Sequence, residues 1–462
     1  MAGSEIGAVN EERAQSWQAL CEFVGQIQQK SGVPGVAVGV YYQGETAAQG
    51  FGVTNAAHPL PVTDTTLFQI GSITKTFTGT LIMRLVEEGK LALDTPVRQI
   101  VPDFRVADET ASAQVQVHHL LTHLSGWEGD LFLDTGPGDD ALKRYVAAMA
   151  EQPQVAPIGA HWSYNNSGFS LLGYLIEQVT GKTFEAVLKE WVLDPLGMEH
   201  AFIEPSDVMT HRFAVGHSVT GDGAEVLRPW PLTRATRPAG GLICHVQDLL
   251  RYARFHLGAP DVAKSPVISA ESVKQMRTPQ VTVWGDERWG LTWGLNRIGG
   301  VEMVSHSGGT LGQITQLTLV PERQFAVAVF TNATSGGQIT RAVTNRALEI
   351  YLGLEMPKPK PLDVAASELA EFAGLYRSAL TDVELGVLGG RLVAQYIPKG
   401  GFPTKDTPPP PLPPPTWLAL IEKDRLMVMA GDAKESKVDV IRNPDGSIAW
   451  LRSGGRLYRK VR

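Results

Sequence analysis

The sequence predicts an α+β domain, an antiparallel sheet flanked by helices with a mostly helical lobe, followed by an all-β C-terminal domain. Three observations predict it. β-Branched, strand-like runs stand near both ends of residues 1–355, and helical patterns with long loops fill the stretch between them. A proline-rich connector then leads into residues 356–462, where short strand-like runs alternate with turn pairs.

The first element places Trp17, Leu20, Val24 and Ile27 at three- and four-residue spacing, an amphipathic helix ending near Gly32. The run from Val36 to Tyr42 lies between Pro34-Gly35 and Gln43-Gly44, a strand opening a hairpin toward Gly50 and Gly52. Ile73, Phe77, Leu81 and Leu85 form one stripe, so a helix is expected from Ser72 to Glu88 with Gly89 as its cap. Between Leu93 and Trp293, helices are expected at 141–150, 167–179 and 184–191 among long loops. Strands return at 301–305, 314–320 and 325–330, before a last helix near 339–352.

Glu355 to Pro361 reads as a semi-rigid linker. Beyond it, strand-like runs at 383–388, 391–396, 416–421, 425–429 and 437–441 are separated by turns such as Gly389-Gly390 and Gly454-Gly455, the pattern of a small barrel. The seven prolines of Pro408 to Pro415, broken only by Leu412, read as a stiff polyproline II surface loop or a ligand for a partner.

Composition narrows the function classes. A chain of 462 residues is too long for one core, and 43% apolar with 19% charged residues is ordinary globular usage. No window reaches the ~18 uninterrupted apolar residues of a membrane span, so no membrane partner is expected. A formal net charge of -7 with scattered Lys and Arg argues against nucleic acid. The start, Met1 to Ala8, lacks the basic and apolar stretches of a secretory signal, which makes the cytoplasm the expected location. Cys21 and Cys244 are the only cysteines and form no disulfide framework.

Three short stretches carry chemistry. Ser72-Ile73-Thr74-Lys75 opens the expected helix after a strand-like run, which puts the hydroxyl beside free backbone N–H groups and the lysine one turn away on the same face. A lysine whose charge is disfavoured by burial or by cationic neighbours can take the hydroxyl proton; the competing reading is an N-cap serine and a solvated lysine. Tyr164 in Ser163-Tyr164-Asn165-Asn166-Ser167-Gly168 is a candidate proton shuttle, and the Asn166 amide offers a donor and an acceptor to a substrate amide; the competing reading is a capping cluster with a core tyrosine. Ser305-His306-Ser307-Gly308-Gly309-Thr310 ends a strand along which an extended acyl substrate can lie, or else forms a hairpin turn with an exposed histidine.

Together, and in this order, the three stretches resemble the serine β-lactamase and penicillin-binding-protein superfamily. The nearest branch is that of the class C β-lactamases, with D-alanyl-D-alanine carboxypeptidases, D-amino-acid peptidases and esterases. Its second motif is Tyr-x-Asn, here Tyr164 to Asn166, and its third is Lys- or His-x-Gly, here His306 to Gly308. Leu120 to Gly126 and Pro238 to Leu242 look like the same family. The resemblance implies a serine β-lactamase-like catalytic domain over residues 1–355 and a β-rich domain over 356–462. It further implies that Ser72 attacks a carbonyl, that Lys75 and Tyr164 manage its proton and that His306 sits opposite. Asn166, Ser307, Gly308 and Gly309 would bind substrate, with the Ser72 and Gly309 N–H groups as oxyanion hole. The expected substrate is a small-molecule or peptide ester or amide, and neither metal nor cofactor is required. A penicillin-binding sensor that turns over poorly and a true β-lactamase are the alternatives. Histidine in place of the lysine of class C β-lactamases weakens the grip on a substrate carboxylate.

Two further features have plainer readings. His119 and His123 stand four apart as helical metal ligands do, but there is no His-Glu-x-x-His and no third ligand. Trp127, Trp162, Trp289 and Trp293 are candidates for an apolar acyl pocket or for core.

Overall fold

The computed structural model of the chain describes residues 2–221, 223–260, 262 and 267–461. Met1, part of the N-terminal reading, and Arg462, the end of the second expected domain, lie outside them. Two compact units are formed, one by Met1–Lys90, Lys182–Leu232 and Arg237–Pro357, the other by Leu91–Gly181, Thr233–Thr236 and Lys358–Arg462.

The first unit is built on an eight-stranded antiparallel sheet. Its strands are β1 (Gly35–Tyr42), β2 (Glu45–Gly52), β3 (Val281–Trp284), β4 (Glu287–Trp289), β5 (Gly294–Ile298), β6 (Val301–Thr310), β7 (Gln313–Val320) and β8 (Phe325–Thr331). They lie in the order β2-β1-β8-β7-β6-β5-β4-β3. Sequence-distant β1 and β8 pair directly, one strand in from the β2 edge, with Val38 opposite Val329, and both are buried nearly throughout. Such strands need cover on both faces. Helices α1 (Ala2–Ser31) and α4 (Gly337–Leu352) supply it on one side, where Leu20, Val24, Ile339 and Val343 pack against Val36, Val38, Val327 and Val329. On the other side α3 (Val246–Leu257) presses so close that a β-carbon on Gly39 would stand 2.8 Å from both Leu250 and Val246 side chains.

Helix α2 (Thr74–Glu87) is buried along most of its length, as its run of Thr, Gly and aliphatic residues requires, and Gly89 closes it at positive φ. Strands β3 to β5 were not expected. They are short, with a register shift between Thr282 and Trp284, which blurs the alternation that marks a strand.

The second unit contains the helices Ala141–Ala148 and Ser167–Thr180 and a closed eight-stranded barrel. The barrel strands are β9 (Gly374–Arg377), β10 (Thr381–Leu388), β11 (Arg391–Pro398), β12 (Thr416–Glu422), β13 (Arg425–Val428), β14 (Lys437–Arg442), β15 (Ile448–Ser453) and β16 (Arg456–Lys460). Pairing of β9 with β16 closes it around Tyr376, Leu385, Leu392, Leu426, Val440 and Leu451. Sequence reading finds five of these strands and passes over β9, which is four residues long, β15, whose pairing with β14 shifts register, and β16, which carries Arg456, Arg459 and Lys460. Pro408 to Pro415 joins β11 to β12 without regular structure, with Leu412 exposed. Among the described residues no helix is long and apolar enough to cross a membrane.

Candidate active site

The first unit brings Ser72, Lys75 and the His306–Gly309 strand end together. Ser72 lies in a 3-10 turn, Gly71–Ile73, rather than inside the helix the apolar stripe predicts. Gly71 has φ +53, and the Thr74 hydroxyl donates to the Gly71 carbonyl at 2.7 Å, which together set the turn just ahead of α2. Lys75 follows in the first turn of α2 and is wholly buried. Its Nζ donates to Ser72 Oγ at 3.1 Å and to the Ala239 carbonyl at 2.6 Å. A solvated helix lysine is therefore not what this position holds.

Strand β6 runs against this turn. A β-carbon on Gly71 would lie 2.6 Å from Gly309 N, and one on Gly308 would strike the Ile70 carbonyl. Only glycine at these positions lets the two backbones meet, and the Thr315 hydroxyl of β7 ties them by donating to the Ile70 carbonyl at 2.8 Å. His306 is buried rather than exposed at a turn, edge-on to Trp289 at 5.6 Å between ring centroids. Its Nδ1–H donates to the Ser307 carbonyl at 2.6 Å. Burial, and secondarily the Lys75 ammonium, push its pKa down to about 3, so the imidazole is neutral across physiological pH. Ser307 and Gly309 are exposed on the opposite side of the strand.

Tyr164 and Asn166 lie in the second unit. The backbone there is fastened from several sides: Tyr164 N–H donates to the Gly455 carbonyl at 2.8 Å, Asn166 N–H to the Gly129 carbonyl at 3.0 Å, and Asn165 N–H to His123 Nδ1 at 3.0 Å. The His123 ring lies 4.3 Å from that of Tyr164. The capping that sequence offers as a competing reading is present, but it is done by Asn165, whose Oδ1 accepts from Gly168 N–H at 2.7 Å. That leaves the neighbouring Asn166 for other work, and its Nδ2 donates to Asp130 at 2.6 Å.

The histidine pair is accounted for structurally. His119 Nδ1 accepts from Gln116 N–H, and His123 lies beyond the helix Val117–Leu121 with φ +58, so the two do not share a helical face. Among the described residues one group, His200, His245 and Asp248, clusters as metal ligands do. Its atoms have other duties: His245 Nδ1 caps α3 by accepting from Asp248 N–H, and Asp248 Oδ2 accepts from His200 N–H at 2.8 Å. Trp127, Trp162 and Trp293 are buried; Trp162 also lies against Tyr164, and Trp289 against His306.

Sequence reasoning passed over Asp130, Gly455, Arg456 and the Ala239 carbonyl. Pro238 to Leu242 and the Gly454-Gly455 turn were visible as segments, but nothing in them points to a distant partner.

A sequence model of the Beta-lactamase family matches residues 21–351. The chain belongs to that family. Among the relatives of this Beta-lactamase family member, penicillin-binding protein 4 of Amycolatopsis lactamdurans is 34% identical, over 76% of this chain and 95% of its own length. The unguisins hydrolase ungD' of Aspergillus campestris is 27% identical, over 85% and 73%. The crystal structure of SurE superposes over 97% of this chain and all of its own, with a TM-score of 0.76 and 26% identity. A class C β-lactamase, 24% identical with a TM-score of 0.62 over 74% of this chain and 98% of its own, shares the fold. The serine β-lactamase-like fold and membership of a serine hydrolase superfamily are thereby established for this chain.

Proposed function

We propose that this chain hydrolyses an ester or amide of a small acyl or peptide substrate through an acyl-enzyme on Ser72. The carrying observation is the buried Lys75 ammonium 3.1 Å from the half-buried Ser72 hydroxyl. A lysine enclosed at this distance is placed to exchange a proton with the serine. Ser72 Oγ attacks the carbonyl carbon as its proton passes to Lys75 in its neutral amine form or to Tyr164 as phenolate, and the same proton is then delivered to the leaving alkoxide or amine as its bond to the carbonyl carbon breaks. Water repeats the sequence on the acyl-enzyme. The Ser72 and Gly309 N–H groups receive the oxyanion, worth about 3 kcal/mol for each donor. Asn166, Ser307 and Gly308 border the acyl chain.

The neutral His306 favours an esterase or peptidase over a β-lactamase, because it brings no charge to a substrate carboxylate. A substrate with a D-residue is supported by the related structure of SurE with D-Leu, and hydrolysis by the relative named an unguisins hydrolase. The relative named penicillin-binding protein 4 supports a second reading, in which β-lactams acylate Ser72 and leave slowly. A panel of short-chain p-nitrophenyl esters, D- and L-amino-acid amides and a chromogenic cephalosporin tests both on the parent and Ser72→Ala. Ester turnover absent from the variant is expected. Equal turnover by the variant refutes the nucleophile, and persistent β-lactam labelling without ester or amide turnover selects the second reading.

A further inference from the structure

Within the second unit, the barrel holds both ends of the Tyr-x-Asn motif. Arg456 follows the Gly454-Gly455 turn between β15 and β16, and its guanidinium lies 4.8 Å from the centroid of the Tyr164 ring. The same guanidinium donates to Asp130 through Nε at 3.0 Å and Nη2 at 3.3 Å. Asp130 Oδ1 accepts in turn from Asn166 Nδ2 at 2.6 Å. Alongside, Gly455 accepts from Tyr164 N–H at 2.8 Å, and Leu457 N–H donates to Ser163 Oγ at 3.4 Å. Gly455 has φ +81, and a β-carbon there would stand 3.1 Å from the Tyr164 β-carbon and from the Trp162 ring, so the turn is shaped to this neighbour.

Resting on the proposed role of Tyr164, we infer that Arg456 is a positioning residue that sets the Tyr164 ring and, through Asp130, the Asn166 amide. A planar guanidinium can cover an aromatic face while its fork grips a carboxylate; an ammonium cannot do both. The barrel is thus a working part of the second motif. Within this unit the titratable groups facing Tyr164 are His123 and Arg456, with Asp130 behind Arg456. Burial works against the Arg456 charge, yet Asp130 and the nearby phenols hold its pKa above the ordinary value. Removing the cation also leaves the Asp130 charge uncompensated, and both changes disfavour an ionised phenol.

The experiment compares parent, Arg456→Gln, Arg456→Lys and the double variant Asp130→Asn with Arg456→Gln in ester hydrolysis, with Ser72→Ala in parallel. Arg456→Gln is expected to lower kcat about 10- to 100-fold with little change in KM. Its rising limb of kcat/KM should move to higher pH. Arg456→Lys should keep the parent's pH limb with an intermediate kcat, and the double variant should return the limb toward the parent's without restoring kcat. A folded Arg456→Gln protein with the parent's kcat and pH profile overturns the inference. Should that variant melt below the assay temperature, Arg456→Lys decides alone: a lowered kcat at unchanged KM supports positioning, and parental kcat refutes it. Activity retained by Ser72→Ala refutes the hydrolase reading instead, so the two failures are distinguishable.

Discussion

At the scale of single residues, one contact separates a reactive serine from a helix cap. A lysine that only solvated the helix would extend into water, whereas Lys75 is enclosed, its Nζ donating to Ser72 Oγ and to the Ala239 carbonyl. Replacing it by methionine keeps the volume and discards the proton carrier. Lys75→Met is expected to lower the rate of Ser72 acylation by about 10²- to 10⁴-fold, measured as fluorophosphonate labelling by stopped assay. Its stability should fall by only about 1–3 kcal/mol for the deserted carbonyl, read from a denaturant melt. Undiminished labelling would remove Lys75 from the mechanism. The Ser-x-x-Lys spacing made this pair legible, because three residues of helix bring side chains onto one face. The charge state of His306 was only half legible: its residue type is plain, but its burial against Trp289 depends on strands β4 and β6 lying on either side of β5.

At the scale of elements, the site depends on how closely β6 approaches the turn ahead of α2. Two adjacent glycines make opposite predictions. A β-carbon on Gly308 would strike the Ile70 carbonyl and lie 2.6 Å from Thr315 Oγ1, whereas one on Gly309 would meet only the Ile314 side chain at 3.4 Å. Gly308→Ala is therefore expected to cost about 1–3 kcal/mol and to depress ester turnover, while Gly309→Ala should melt near the parent. Thermal melts of the two variants check this, and equal stability would contradict the described register. The central strands, α1, α2 and α4 were readable because burial on a regular face leaves a periodic pattern. Strands β3 to β5, β9, β15 and β16 were not, since they are short, bulged or rich in outward charge, and their pairing is fixed by partners far away in sequence.

At the scale of the molecule, the chain returns on itself in a way no local pattern reveals. Residues of the helical lobe and the barrel make one compact unit, while the ends of the first 357 residues build the other. The linker at Glu355 to Pro361 was evident from its prolines, but which lobe the barrel would join was not, because that choice is made by contacts such as Arg456 with Asp130 and Phe132 with Phe402. Each of the three chemical motifs had a plain structural reading by itself, and only their order and context together carried the resemblance. The central claim is that Ser72 carries the acyl group. Peptide-mapped mass spectrometry after brief exposure to an activated acyl ester tests it most directly. A single adduct on the peptide containing Ser72, decaying as ester is turned over and missing from Ser72→Ala, is the predicted result; an adduct on another residue, or equal acylation of the variant, would contradict it.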